Sequence, residues 1–197
     1  QYVEIPLVTF DGVKETTFQW EEKNDAVMGG SSSGTFRVGN GSAIFEGECL
    51  TVPTPSGAPG WISFQTVLSN FSQVNGCQGL VIRARSSTDY AGFRLSFGTD
   101  KYFSRQGYKA TFRAPVARDF GAVNISFYDF TRAWDDATGE AAIKCEDETG
   151  VCPTFLTLNN IQRVQLWAEG VVGKVHLEIQ SISAYDCTPT GSRVFTV

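Results

Sequence analysis

The amino-acid sequence predicts an all-β protein, a single two-sheet β-sandwich or jelly roll, and three observations support this prediction. Apolar and polar residues alternate through most of the chain, as in strands that bury one face. Clusters of Gly, Pro, Asn and Ser bound these segments. No segment has a sustained 3.6-residue apolar stripe, and strands do not alternate with helices, so two antiparallel sheets are favoured over a parallel one.

Eight segments have the strand pattern, which is cleanest at residues 174–180. There Val175, Leu177 and Ile179 point to one side, and the residues between them are polar. Residues 128–134 are predicted to form one short helical turn. The predicted strands are 43–46, 61–67, 79–86, 91–97, 107–114, 122–128, 161–168 and 174–184.

Length and composition indicate one domain. A chain of 197 residues suits a single β-sandwich, and 42% hydrophobic content with 13% aromatics is enough for a packed core. We therefore assign residues 1–197 to one domain whose core spans 10–185. The polar tail 188–197 is expected to dock or to fray.

Charge and residue content argue against several functions. A net charge of −5 and a pI near 4.9 disfavour nucleic-acid binding. No apolar run approaches the length of a spanning helix, so the protein is expected to be soluble or peripheral to a membrane. The single histidine, His176, lies on a polar strand face, and there is no G-x-S-x-G motif. We predict no catalytic residues, no metal and no cofactor.

The five cysteines contain no C-x-x-C pair, so a zinc site is poorly supported. Cys145 and Cys152 flank the turn-prone stretch EDETGV, and we predict a disulfide that closes this small loop. The pairing of Cys49, Cys77 and Cys187 is left open.

Three segments interrupt the strand pattern. Residues 24–34 form a small-residue loop, and residues 52–60 form a Pro/Gly loop that a central strand would not tolerate. Residues 135–153, hereafter the acidic excursion, have the length at which loops tend to be functional or pinned. The carboxylates of the acidic excursion lack the spacing of a known calcium loop.

The stretch WEEKNDAVMGGSSSG, from Trp20 to Gly34, resembles the signature of the complex I intermediate-associated protein 30 (CIA30) family. We call it the signature segment. Phe10-Asp11, AIFEG, GLVIRARS, YKATFRAP, VNISFYDF and IQSISAY follow the family's order, so the resemblance extends from Phe10 to Tyr185. It implies a galactose-binding-like jelly roll and a role in assembling respiratory complex I or photosynthetic complexes. The Pro-rich loop and the acidic excursion depart from the family pattern, which suggests a specialised relative.

The signature segment has two interpretations. It is a recognition loop, with candidate binding residues Trp20, Asn24, Asp25, Met28, Gly29, Gly30, Ser31 and Ser33. Alternatively it is a tight corner, in which Asn24 and Asp25 satisfy backbone amides and the glycines permit positive φ. We favour the corner for Asn24 and Asp25.

A second candidate site is a basic face. Alternation in three predicted strands places five basic side chains opposite the core, and neighbouring strands would bring them together to bind an anionic partner. The alternative is a solvated face with cross-strand pairs to acidic residues. The residues of this basic face are Arg83, Arg85, Arg94, Lys109 and Arg113.

Carbohydrate binding is the alternative function. Trp61 after the Pro/Gly loop and Trp134 before the acidic excursion are the better exposed candidates for stacking on a sugar, whereas Trp20 and Trp167 are expected in the core.

We therefore predict a non-enzymatic protein-binding module, an assembly factor or peripheral subunit of a membrane bioenergetic complex. Because the sequence begins at Gln1 without a leader, a targeting segment is expected to have been removed. An acidic pI and the predicted disulfide favour an organelle, and the thylakoid lumen over the mitochondrion. The sequons at Asn40, Asn70 and Asn124 leave secretion as an alternative localisation.

Overall fold

The computed structural model describes residues 3–53, 57–99 and 107–188, and the framework of this described part is built from eleven strands. The strands are β1 (Val3–Thr9), β2 (Trp20–Asn24), β3 (Ser33–Val38), β4 (Ala43–Cys49), β5 (Trp61–Thr66), β6 (Gly79–Arg85), β7 (Phe93–Gly98), β8 (Tyr108–Thr111), β9 (Gly121–Ser126), β10 (Arg163–Glu169) and β11 (Gly173–Cys187). Short 3₁₀ turns occur at Asp25–Met28, Phe127–Asp129 and Thr149–Val151, and α1 is Phe155–Leu158. Apart from Thr188, the predicted tail lies outside the described residues.

The strands form two antiparallel sheets, as predicted for a jelly roll. Sheet A has the order β3-β4-β11-β6-β9, with β1 paired to β11, and sheet B has the order β2-β5-β10-β7-β8. Consecutive strands such as β4 and β5, or β6 and β7, therefore belong to opposite sheets. Within the described ranges, no helix is long and apolar enough to cross a membrane.

The core lies between the two sheets. Sheet A contributes Phe45 and Ile82 to it, and sheet B contributes Leu95 and Leu166, each with no exposed surface. Burying one such side chain stabilises the fold by roughly 2 to 3 kcal/mol. The facing apolar sides explain why alternation predicted the strands: all eight predicted segments are strands in the structure, with ends shifted by a few residues.

Three strands were not predicted, for local reasons. β1 contains Pro6 beside a register shift, where a missing N–H is tolerated. β2 reads WEEKN and lacks alternation. β3 contains Gly34, a residue type that is uncommon in strands. Glycine is needed there because a Cβ would lie 2.9 Å from Ile62 Cδ1 of β5 in the facing sheet. The predicted helical turn is only the 3₁₀ turn Phe127–Asp129, and α1 was missed.

Two disulfides are present. The predicted Cys145–Cys152 bridge closes the small loop of the acidic excursion. Cys77–Cys187 joins residues 110 apart in sequence and ties the start of β6 to the end of β11. Cys49 is a buried free thiol, and burial raises its pKa to about 11.

Candidate functional site

The signature segment folds as a corner built around one buried carboxylate. Asp25 has no exposed surface. Its Oδ1 accepts a hydrogen bond from the Ser32 amide at 3.1 Å, and its Oδ2 accepts one from the Trp61 amide at 3.1 Å. One side chain therefore joins the loop before β3 to the first residue of β5.

Two glycines make room for this carboxylate. A Cβ on Gly30 would lie 2.2 Å from the Asp25 carboxyl carbon, and a Cβ on Gly60 would lie 1.9 Å from Asp25 Oδ2. Gly29 has φ of 78°, a conformation that glycine adopts without strain. The small residues of the segment are therefore explained by close packing around Asp25.

The other predicted residues of the signature segment have different surroundings. The Trp20 ring packs on Phe36 with centroids 4.6 Å apart. The Asn24 side-chain amide donates to Glu22, while its Oδ1 is buried without a hydrogen-bond partner. Ser31 and Ser33 are exposed, as is Gly29, and the Met28 side chain lies outside the described residues.

The predicted basic face is not formed as one surface, and this corrects the sequence analysis. Arg83 and Arg85 lie on β6 in sheet A, whereas Arg94 lies on β7 and Lys109 on β8 in sheet B. The prediction depended on these strands being neighbours, but the chain crosses between the sheets after β6.

Three of the five basic residues have acidic partners at the surface. Arg83 pairs with Glu4 at 2.7 Å, Arg85 with Glu178 at 2.6 Å, and Arg113 with Asp89 at 3.3 Å. The Arg85 guanidinium also lies 4.7 Å from the centre of the Phe120 ring. Such pairs with acidic neighbours are typical of solvated surfaces, and here they are distributed over both sheets.

Arg94 and Lys109 are instead buried, with 2% and 4% of their surface exposed. Lys109 Nζ bonds Glu169 Oε1 at 2.7 Å and lies 4.0 Å and 4.9 Å from the ring centres of Trp167 and Trp134. A lysine held by a carboxylate and two indole faces is well compensated. Burial still lowers the pKa of Lys109, more than the neighbouring Glu169 raises it.

The face of sheet B that points away from the core is polar and largely buried. Its central residues are Ser63, Gln65, Ser96 and Gln165, none more than 3% exposed. Gln165 Nε2 donates to Ser63 Oγ at 2.9 Å, whereas Gln165 Oε1 is buried without a hydrogen-bond partner. Buried polar groups without partners are uncommon, so this face differs from an ordinary solvated sheet.

The acidic excursion covers the β7–β8 end of this polar face. A Cβ on Gly139 would lie 2.1 Å from Glu169 Oε1, so the excursion rests directly on the Lys109–Glu169 pair. Arg94 Nη2 donates to the Thr138 carbonyl at 3.4 Å. Trp134 forms an isolated bridge with Ala141.

The structure corrects one assignment among the tryptophans. Trp167 was expected in the core, yet Leu166 and Ala168 on either side of it face the core, and alternation turns Trp167 outward. Its Nε1 donates to Ser96 Oγ at 2.8 Å, and its ring lies 5.5 Å from that of Trp61. Trp61, Trp134 and Trp167 are all half-buried.

The Lys109–Glu169 pair was missed by the sequence analysis. A signal existed, because alternation along Gln165 and Trp167 places Glu169 on the same outward side. The partner of Glu169 could not be identified, since β8 and β10 are separated in sequence and strand order is not encoded locally.

Comparison with known sequences identifies one family and no individual relative. The family model for complex I intermediate-associated protein 30 (CIA30) matches residues 8–179. No curated protein sequence matches the chain significantly.

Comparison with solved structures gives carbohydrate-binding modules and agarases of low identity. The family 11 carbohydrate-binding module of the cellulase Lic26A-Cel5E of Clostridium thermocellum has a TM-score of 0.61 and 15% identity, covering 94% of this chain and 95% of that one. The Clostridium thermocellum family 11 module in complex with a mixed-linked tetrasaccharide has a TM-score of 0.57 and 12% identity, covering 93% and 96%. The agarase AgWH50C has a TM-score of 0.54 and 10% identity, covering 94% of this chain and 25% of that one. These similarities show a shared jelly-roll fold.

Proposed function

The chain belongs to the CIA30 family, and we propose that it is a non-enzymatic protein-binding module that serves a membrane bioenergetic complex. In this proposal it is an assembly factor or a peripheral accessory subunit of respiratory complex I or of a photosystem. The observation that carries the proposal is the family match over residues 8–179.

The packing of the signature segment supports this proposal. Asp25, Gly30 and Gly60 fit together as a structural corner, so the family motif is explained by the fold and requires no small-molecule ligand. A domain with a packed core is suited to protein recognition, because the parts that are already ordered lose little entropy on binding. CIA30 and carbohydrate-binding-module folds are in general non-catalytic.

A native pull-down tests the proposal. The full chain, tagged and bound to beads, is incubated with detergent-solubilised membranes of the organism that makes it, and captured proteins are identified by mass spectrometry. We expect several subunits of one bioenergetic complex, enriched over an unrelated acidic protein of similar mass. Enrichment of no such subunit would contradict the proposal.

Native gel fractionation then separates the two roles. An assembly factor migrates with incomplete complexes and is absent from the mature one, whereas an accessory subunit migrates with the mature complex.

Carbohydrate binding is the second candidate function, and the outward face of sheet B favours it. Three half-buried indole rings lie along this face, with Lys109 between Trp134 and Trp167. Unpartnered Gln165 Oε1 lies on the same face. Aromatic rings beside amide and charged groups are the chemistry that binds sugars.

A glycan array tests this second candidate. We expect a bound glycan whose signal falls when Trp61 and Trp134 are replaced by alanine, and is retained in the Trp20→Ala variant, whose ring lies on another part of the sandwich. An array without any bound glycan would rule the second candidate out.

For localisation we propose an oxidising organellar compartment, with the thylakoid lumen ahead of the mitochondrion. Two disulfides support it, because such bonds persist in oxidising spaces. The sequon residues Asn40, Asn70 and Asn124 are exposed, which a secreted protein would also require. Alkylation in denaturant, followed by mass measurement with and without reductant, tests the oxidation state: Cys49 is expected to react in both samples, and the other four cysteines only after reduction.

A further inference from the structure

A cavity of about 310 Å³ opens between β8, the 3₁₀ turn Phe127–Asp129 and the acidic excursion. It is lined by the aromatic ring of Tyr128, by the acidic residues Asp129 and Glu146, and by Lys109 and Lys144. Tyr128 is 74% exposed, so its ring is available at the mouth. We call this the Tyr128 cavity.

The two cations of the Tyr128 cavity already have carboxylate partners. Lys109 is bound to Glu169 at 2.7 Å. Lys144 lies 3.4 Å from Glu146, and both side chains of that pair are mostly exposed. An exposed pair of this kind is worth little, so Glu146 is free to exchange Lys144 for another cation.

The net charge of the chain is concentrated around this cavity. The acidic excursion has six carboxylates and one lysine, which gives it a net charge of −5. The whole chain has 16 basic and 21 acidic residues, and its net charge is also −5. All six carboxylates are exposed. Residues outside the excursion therefore sum to zero, and three arginines of the predicted basic face are paired with acidic neighbours.

Exposed apolar side chains flank the acidic excursion on both sides in sequence. Tyr128 precedes it, and Phe155 and Leu156 follow it, 54% and 77% exposed. Aromatic and aliphatic side chains that remain in solvent beside a charged rim are typical of protein interfaces.

We infer that the Tyr128 cavity receives a lysine or arginine side chain from a basic segment of the partner protein. This inference rests on the proposed protein-binding function and names the surface and the partner chemistry. The stem of the incoming side chain lies along the Tyr128 ring, and its cationic head meets Glu146 and Asp129. The remaining carboxylates of the excursion attract the basic segment over a longer range.

A charge-matched pair of variants tests the inference. Glu146→Gln/Asp147→Asn/Glu148→Gln removes three charges from the excursion, and Glu15→Gln/Glu22→Gln/Glu48→Gln removes three exposed charges elsewhere. In the pull-down from solubilised membranes, the first variant is expected to lose capture by on the order of tenfold at low salt. The second variant should capture as the unaltered chain does. An equal loss of capture in both variants would show that only the net charge of the chain matters, and would overturn the inference.

Photo-crosslinking identifies the contacting segment. Benzoylphenylalanine replaces Tyr128 in one full-length protein and Val116, which is 58% exposed, in the control. We expect crosslinks from position 128 to a lysine- or arginine-rich peptide of the captured complex, and none from position 116. Capture of a complex with crosslinks to acidic or apolar peptides would overturn the inference alone. Capture of no complex would overturn the proposed function with it.

Discussion

The signature segment and the acidic excursion both depend on carboxylates, and they use them in opposite ways. In the signature segment, Asp25 is fully buried and accepts hydrogen bonds from amides 7 and 36 residues away in sequence. In the excursion, Asp135 is exposed and accepts from the amides of Ala137 and Thr138, both at 2.9 Å. The first carboxylate organises the sandwich, whereas the second organises only its own turn.

This difference shows that a family motif and an interaction surface need not coincide. The most recognisable residues of the chain lie where the fold needs them, because a buried carboxylate and the glycines around it tolerate few replacements. The excursion, by contrast, presents six exposed carboxylates to solvent. We therefore expect stability to depend on the first region and partner choice on the second.

The largest expected effect is that of Asp25→Ala. The buried Ser32 amide and the part-buried Trp61 amide lose their acceptor, so the free energy of unfolding should fall by about 4 kcal/mol. Asp135→Ala is the matched control, since it also removes the acceptor of two amides, but these amides can bond to water. Its loss is expected to be much smaller. Urea denaturation of both variants measures the difference. Equal losses of unfolding free energy would show that the two carboxylates do not differ in their contribution to stability.

Glu169→Gln tests the place where the excursion meets the sandwich. It leaves Lys109 buried without its ionic partner, and the free energy of unfolding should fall by about 3 kcal/mol. This is at the low end for a broken buried pair, because the side-chain amide introduced at position 169 still accepts a hydrogen bond from Lys109. The double variant Lys109→Met/Glu169→Leu removes both charges and should recover most of the loss. A double variant as unstable as Glu169→Gln would show that the pair itself stabilises the fold.

The same pair predicts a pH dependence. Burial lowers the pKa of Lys109 below its ordinary value of 10.5. In the pH range between the lowered pKa of the folded state and 10.5, the unfolded chain therefore binds more protons than the folded one. Stability from this group therefore rises with pH as the pH approaches 10.5 from below. Denaturation of the unaltered chain, measured against the Lys109→Met/Glu169→Leu variant across this window, reveals the trend. A difference that is flat or falls with pH contradicts it.

Removal of the Cys145–Cys152 disulfide should affect the excursion alone. The bridge closes a loop of residues 7 apart in sequence, and its loss in Cys145→Ser/Cys152→Ser is expected to lower the free energy of local opening of the excursion by about 2 kcal/mol. Hydrogen exchange should accelerate for amides of the excursion, such as Ala142 and Cys152, and should stay slow for Ser32 and Trp61. Faster exchange at Ser32 and Trp61 as well would mean that the two regions are coupled.

The smallest effect is expected for Arg83→Ala on the solvated face of sheet A. Its pair with Glu4 is exposed on both sides, at 40% and 46%, so the loss of stability should be under about 1 kcal/mol. Partner capture should be unchanged. A marked loss of capture would return the basic residues of β6 to consideration as a contact surface.

The sequence was sufficient where the physics is local. Alternation located the eight strands that bury one face. The turn-forming stretch between Cys145 and Cys152 was enough to predict the disulfide between them. It was insufficient where partners are remote: Cys77 and Cys187 are 110 residues apart, and Trp61 reaches Asp25 across the Pro/Gly loop. The basic face failed for a related reason, because alternation tells which side of a strand is outward but not to which sheet the strand belongs. Trp167 was misassigned although alternation alone would have turned it outward.

The pairing of β1 with β11 has a practical consequence for engineering. Val3 lies opposite Cys187 in that pairing, so the chain enters and leaves the sandwich at neighbouring points. A short linker between these points should permit circular permutation, with new ends opened between the exposed residues Gly39 and Asn40 in the turn from β3 to β4. The same adjacency suits the domain to insertion, as an intact unit, into a surface loop of a host protein.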